Sequence, residues 1–167
     1  MLRTGIAVFV ILASALAGAQ TKVVKDKFFE YTGPVGYVRD DSRVPSGRIG
    51  LFATAKGNYR SNVMISTSTA GTYEDPAKLG QDTVTFLKAS DKAVSNVSGK
   101  ALQVSGNQIY VISSIRKLPN GMSICQRQAI FIHKKQAVIL SFSALNKDAN
   151  QLVPGFMKSL NSLRWLS

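Results

Sequence analysis

Side chains able to do covalent or metal chemistry are few in this chain, which holds one His, His133, and one Cys, Cys125. A zinc-type centre needs three or four nitrogen, sulfur or oxygen ligands converging on one point, and no His/Cys cluster has that spacing. His133 opens His133-Lys134-Lys135-Gln136, a turn sequence in which a solvated imidazole is the expectation. Cys125 falls inside a strand-like run, away from any helix N-terminus, where a thiol is buried and inert. Asp40-Asp41 is the adjacent carboxylate pair best suited to a hard cation, which would need several backbone carbonyls besides. Glu74-Asp75 is better explained as helix capping. No metal and no cofactor is expected.

Nucleophilic catalysis has equally little to work with. Ser114-Ile115-Arg116-Lys117 fits Ser-x-x-Lys on paper, but it lies on a strand and lacks the Ser-Asp-Asn and Lys-Thr-Gly companions of the penicillin-recognising enzymes. Val97-Ser98-Gly99-Lys100 lacks the first Gly of a phosphate-cradling loop. Asn96-Val97-Ser98 fits the N-glycosylation pattern, which matters only in a host that glycosylates exports. Carboxylates drawn from distant positions could still meet in a fold, so an enzyme with dispersed catalytic residues stays open as an alternative. No catalytic residue is assigned.

Binding chemistry remains. Arg39, Arg43, Arg48, Lys56 and Arg60 sit in or beside the early loops, with Tyr37 and Tyr59 among them. Cations interleaved with aromatics suit an anionic partner, and the competing reading is a solvated rim whose charges face different ways. The chain carries 21 Lys+Arg against 9 Asp+Glu, a net charge of +12. Such a surplus favours encounter with polyanions.

Which polyanion depends on where the protein works. Met1-Leu2-Arg3-Thr4 precedes an apolar and small run from Gly5 to Leu16, followed by Ala17-Gly18-Ala19. A positive start, an apolar middle and an Ala-x-Ala end are the parts of a secretory signal peptide. The apolar run is shorter than the roughly 20 residues that a span requires. Cleavage is expected after Ala19, leaving residues 20–167 as one extracytoplasmic domain, periplasmic or secreted, with no transmembrane segment. Loss of Arg3 leaves twenty cations against nine carboxylates, +11. In that compartment the expected partners are an anionic envelope component or an envelope protein, and no nucleic acid is expected. A single Cys allows no internal disulfide, so burial alone must hold the domain.

The elements that position these residues can be read from periodicity. Lys22 to Lys27 reads as a frayed leader. Phe28, Phe29 and Tyr31 open the first strand, and Pro34-Val35-Gly36-Tyr37 is a turn delivering an aromatic onto the sheet. Asp40 to Gly47 reads as loop. Strands follow at Arg48 to Lys56 and Asn62 to Ser68, joined through Lys56-Gly57-Asn58-Tyr59-Arg60. Glu74-Asp75-Pro76 starts a helix whose apolar face is Leu79, Thr83, Phe86 and Leu87, ending near Ser90. Lys92 to Leu118 returns to period two with a turn at Ser105-Gly106-Asn107, Pro119-Asn120-Gly121 is a hairpin turn, a further strand runs about Met122 to Ile132, and His133 to Gln136 turns the chain again. Ala137 to Leu145 is apolar on both faces, predicting a central strand covered on both sides. Asp148 caps a closing helix with Pro154 in its first turn or at its start, and Leu152 or Val153, Phe156, Leu160 and Leu163 as its stripe. The fold class is α+β, a mainly antiparallel sheet with helices packed on it.

That order, with several local features, resembles the PsbP / DcrB-like superfamily of mostly exported domains. The opening aromatic strand runs into Pro34-x-Gly36-Tyr37, where the family usually has Pro followed closely by Trp. Asn62-Val63 begins a strand as the family's Asn-Val does. Val104-Ser105-Gly106-Asn107-Gln108-Ile109-Tyr110 is similar to its Gly-x-x-aromatic entry to a long hairpin, and Ser159-Leu160-Asn161-Ser162-Leu163-Arg164-Trp165 to its terminal Ser-Leu-x-aromatic. The resemblance covers nearly all of residues 20–167 and implies a PsbP-like α-β-α sandwich. It implies no activity, because function resides in sites rather than folds. The leading expectation is an exported, non-catalytic accessory or binding domain. Its rivals are the dispersed-site enzyme and a carrier of a small apolar ligand.

Overall fold

A computed structural model describes residues 22–55 and 59–166. Residues 1–19, expected as a signal peptide, and Lys56, Gly57 and Asn58, expected in a turn, lie outside the described residues. In chain order the elements are β1 (Val23–Lys25), β2 (Phe29–Thr32), β3 (Val38–Arg39), β4 (Arg48–Phe52), β5 (Asn62–Thr69) and α1 (Pro76–Ser90). They continue as β6 (Val94–Val104), β7 (Asn107–Lys117), β8 (Ser123–His133), β9 (Gln136–Leu145), α2 (Ala149–Ser159) and β10 (Arg164–Trp165).

Alternating apolar residues make β3 to β9 one antiparallel sheet in the order β3-β4-β5-β9-β8-β7-β6. On one face Val63, Ile65, Val111, Phe131, Leu140 and Phe142 are fully buried. They pack against Phe156 of α2, Leu160 and Leu163 beyond it, and Val24, Phe29 and Tyr31 of a second sheet ordered β1-β2-β10. Phe142 and Phe156 stack with centroids 5.0 Å apart. The opposite face presents Tyr110, Ile112 and Ile130 to Ala77, Leu79, Val84 and Leu87 of α1. Each large side chain removed from water in this way contributes about 1.5–3 kcal/mol. The architecture is the expected α+β arrangement, mostly antiparallel, with a helix on either side.

Local chemistry explains the helix ends. Asp75 has extended backbone, and its Oδ1 accepts from the Ala77 N–H at 2.7 Å, with Pro76 at the first helical position. That satisfies a donor with no partner inside the helix. Asp148 stands at the same place before α2 but makes no side-chain cap, because a 3-10 turn, Asn146–Asp148, leaves it helical rather than extended. Pro154 is therefore the sixth residue of α2, not part of its first turn. There it removes a backbone donor inside the helix.

Three other expectations are corrected. Lys22 to Lys27 is no frayed leader: Val23–Lys25 pairs with β2, and Val24 is fully buried. Phe86 is not on the packed face of α1 but 64% exposed, because the helix meets the sheet through Leu79, Gly80, Val84 and Leu87. Strand β9 is central, yet Ile139, Ser141 and Ser143 on its outer side are only half-buried, since α1 lies over β6, β7 and β8.

Candidate functional site

The basic residues nominated by sequence do not all point outward as free charges. The turn closed by Tyr37 N–H on Pro34 O, with Gly36 at φ 81°, swings Tyr37 into the core. Arg39 donates from Nε and Nη2 to Asp41 Oδ2, at 2.8 and 2.6 Å. Arg43 Nε donates to Asp40 Oδ2 at 2.7 Å. Arg60 donates to Ala53 O at 2.9 Å, and its guanidinium lies 5.5 Å from the Phe52 ring centre. The Tyr59 and Ser143 hydroxyls are hydrogen-bonded. Arg48 is exposed, its nearest polar contact being Met64 Sδ at 3.5 Å. Lys56 lies outside the described residues. Asp40 and Asp41, considered above as cation ligands, have turned their oxygens to these guanidinium groups. Hydrogen bonds from Arg39 to Asp41, and from Ser42 and Arg43 to Asp40, hold both carboxyls below the usual range.

The reactive groups stand apart. His133 and Cys125 lie on one strand, eight positions and about 26 Å apart at a strand's rise per residue. Burial pushes the Cys125 thiol up, away from the reactive thiolate, and nearby Arg127 only partly offsets this. Ser114 and Lys117, three apart on β7, point to opposite faces of the sheet.

Two concavities are better formed than any reactive cluster. One groove of about 330 Å3 runs between α2 and the Gly33-Pro34-Val35 loop, walled by Pro34, Val35, Tyr37, Leu152 and Gly155. The other is a cup of about 400 Å3 lined by Lys27, Phe28, His133, Lys134, Gln136, Trp165 and Leu166. Its floor is fixed by backbone pairing: Trp165 lies opposite Phe29, and Leu166 N–H donates to Phe28 O at 2.8 Å. The Trp165 indole stacks on His133 at 5.2 Å and donates from Nε1 to Asn107 Oδ1 at 3.1 Å. Lys27 Nζ stands 4.5 Å from the Phe28 ring centre. Sequence reasoning missed this cup because its walls come from three distant segments, two joined by β2–β10 pairing and the third by the His133–Trp165 stack. The one local signal was the Lys-Lys turn.

No protein-family model matches the sequence, and no curated protein matches it. Solved structures do match in fold. PsbP of Synechocystis sp. PCC 6803 is similar with a TM-score of 0.63 at 12% identity, over 91% of this chain and 96% of that one. LpqN of Mycobacterium tuberculosis, described as involved in cell envelope biogenesis, is similar with a TM-score of 0.61 at 19% identity, over 89% and 91%. The Ran-binding protein Mog1p of Saccharomyces cerevisiae is similar with a TM-score of 0.59 at 10% identity, over 87% and 95%. The chain has the PsbP-like fold. At these identities the likeness concerns architecture alone.

Proposed function

We propose that this chain is an exported, non-catalytic binding or accessory domain that docks an anionic envelope component or an acidic envelope protein. The observation that carries the reading is the distribution of charge. Glu30, Asp40, Asp41, Asp82 and Asp91 are engaged in ion pairs, and Asp26 and Asp75 accept from backbone N–H groups. Lys27, Arg48, Lys92, Lys100, Lys134 and Lys135 have no carboxylate partner among the described residues. These seven of the nine carboxylates are taken up within the fold, Glu74 and Asp148 being the two that are not, and the surplus cations are left for an external anion. The Arg39 to Arg60 loops contribute Arg48 to that field, their other described cations being held internally.

Export is supported by the Arg3, Gly5 to Leu16 and Ala17-Gly18-Ala19 pattern. No helix among the described residues is long and apolar enough to cross a membrane. Binding rather than catalysis is consistent with the Ran-binding and envelope-biogenesis descriptions of two proteins sharing the fold.

The test is retention of the 20–167 domain on immobilised polyglutamate and on phosphatidylglycerol vesicles, at about 20 mM and about 500 mM salt. Retention at low salt and release at high salt is expected. Failure to bind either matrix at low salt would remove the electrostatic reading.

A second reading has one observation in its favour. The 330 Å3 groove beside α2 is mainly apolar, and its volume is at the lower end for small-molecule sites. A carrier of a small apolar ligand would bind an environment-sensitive apolar dye there, and Gly155→Trp would block it.

A further inference from the structure

We propose that the cup between the β8–β9 turn and β10 seats an acidic protein segment, an aromatic side chain on its floor and flanking carboxylates on its rim. The inference rests on the reading of this chain as an anion-binding domain.

The floor and rim have complementary chemistries. Phe28, Trp165 and Leu166 give an apolar base, and Trp165 is held by its His133 stack and its Asn107 hydrogen bond. A ring fixed in this way offers contact area without loss of rotamer freedom on binding. Lys27 and Lys134 border the same space, no carboxylate lines it, and neither lysine is in an ion pair among the described residues. Glu74 borders an adjoining hollow together with His133, Lys134 and Lys135; it makes no ion pair with either lysine and does not line the cup.

The turn adds an independent observation. Lys134 and Lys135 have φ of 46° and 62°, the left-handed geometry that a two-residue hairpin normally gives to Asn-Gly. A lysine loses conformational stability in that geometry, and such strain concentrates at functional positions. The turn is held by Ala70 N–H donating to Lys135 O at 2.8 Å. It therefore presents two ammonium groups where a more stable turn would carry none.

Concavity separates a protein segment from a lipid plane. A flat bilayer surface cannot fill a recess of about 400 Å3, whereas one inserted aromatic side chain places its neighbours' carboxylates near the rim.

Trp165 is the only Trp in the chain, so its emission reports directly on the cup. The experiment titrates the 20–167 domain with a synthetic peptide of alternating glutamate and phenylalanine. A glutamine-for-glutamate peptide and phosphatidylglycerol vesicles serve as comparison arms. Trp165 emission should change with the acidic peptide alone, in a salt-dependent way. The Lys27→Glu/Lys134→Glu double variant should weaken binding at least about tenfold. Lys134→Gly should weaken it too while raising the melting temperature, which separates lost binding from lost folding. Unchanged affinity in these variants, or a Trp165 response to vesicles or the glutamine peptide but not to the acidic peptide, would overturn the proposal. If the variants keep wild-type affinity for the acidic peptide while wild type is retained on polyglutamate at low salt, the cup is wrong and the anion-binding reading stands. If wild type is not retained there, both fail.

Discussion

The ring of Tyr110 occupies the space that a side chain at Gly80 would need: a Cβ there would lie 2.0 Å from Tyr110 Cδ1. A Cβ at Gly99 would meet the same ring at 2.4 Å. One aromatic of β7 thus fixes the approach of α1 and the composition of β6. Gly80→Ala should gain about 1 kcal/mol of helix propensity. It should lose more to overpacking, about 1–3 kcal/mol, because a buried ring cannot swing aside. A lower denaturation midpoint is expected in urea; an unchanged or higher midpoint would mean that α1 docks elsewhere.

Two buried phenols should respond differently to loss of the hydroxyl. Tyr31 OH is hydrogen-bonded to Ser159 Oγ at 2.7 Å, so Tyr31→Phe should cost about 1 kcal/mol. Tyr37 OH has no hydrogen-bond partner among the described residues. Tyr37→Phe should be neutral, or stabilising by up to about 1 kcal/mol. Ser61 lies near the Tyr37 hydroxyl without sitting in bonding geometry. Equal losses for the two variants in urea titrations would contradict this contrast.

The same phenols set an alkaline limit. Burial pushes Tyr37 up to about 12 and Tyr31 higher than its ordinary value as well. Above pH about 10 the unfolded chain releases these protons while the folded one retains them. Stability is therefore intact below pH 10 and falls as pH rises towards 12 for Tyr37. Tyr37→Phe should shallow that fall in melting temperature against pH; an identical alkaline slope would disprove the assignment.

Acid should loosen a different region. The Arg39 guanidinium, aided by the Gly50 N–H at 3.1 Å, holds the Asp41 carboxyl below its usual range. This contribution is present above the unfolded value near pH 4 and is lost as pH falls through the lower folded value. Because Asp41 is 40% exposed, the effect on global stability is small. Local exchange of the Gly50 amide is the sensitive measurement. Asp41→Asn should speed it at pH 6 by about threefold or more, and no acceleration would show that the loop is held by other contacts.

Replacing Lys134-Lys135 with Asn-Gly should stabilise the fold by about 1–2 kcal/mol, since both positions already have left-handed backbone. A lower melting temperature in the double variant would show that the lysine side chains hold the turn.

Most of the large sheet was legible because its signals are local. Val63 and Ile65 alternate with Met64, Ser105-Gly106 and Pro119-Asn120-Gly121 punctuate the hairpins, and Asp75-Pro76 marks the start of α1. The second sheet was hidden for the opposite reason. Val23–Lys25 is three residues among lysines, and Arg164–Trp165 is two; neither has enough length to show a period. The cup inherits that obscurity, as Phe28 and Trp165 meet only through this pairing. The loop cations were visible, but their neutralisation was not, because Arg39 bonding to Asp41 rather than facing solvent is a matter of loop geometry.

Strand β10 pairs with β2 across most of the chain, Arg164 with Glu30 and Trp165 with Phe29. Closing so long a loop costs more chain entropy, and is slower, than closing a local hairpin. The three-stranded sheet therefore closes only once Arg164 and Trp165 are available, however early the β6–β9 meander forms. Removing Arg164 and Trp165 would leave the Phe29 side of the core without its bolt, so the shortened protein should unfold faster while retaining the β6–β9 meander.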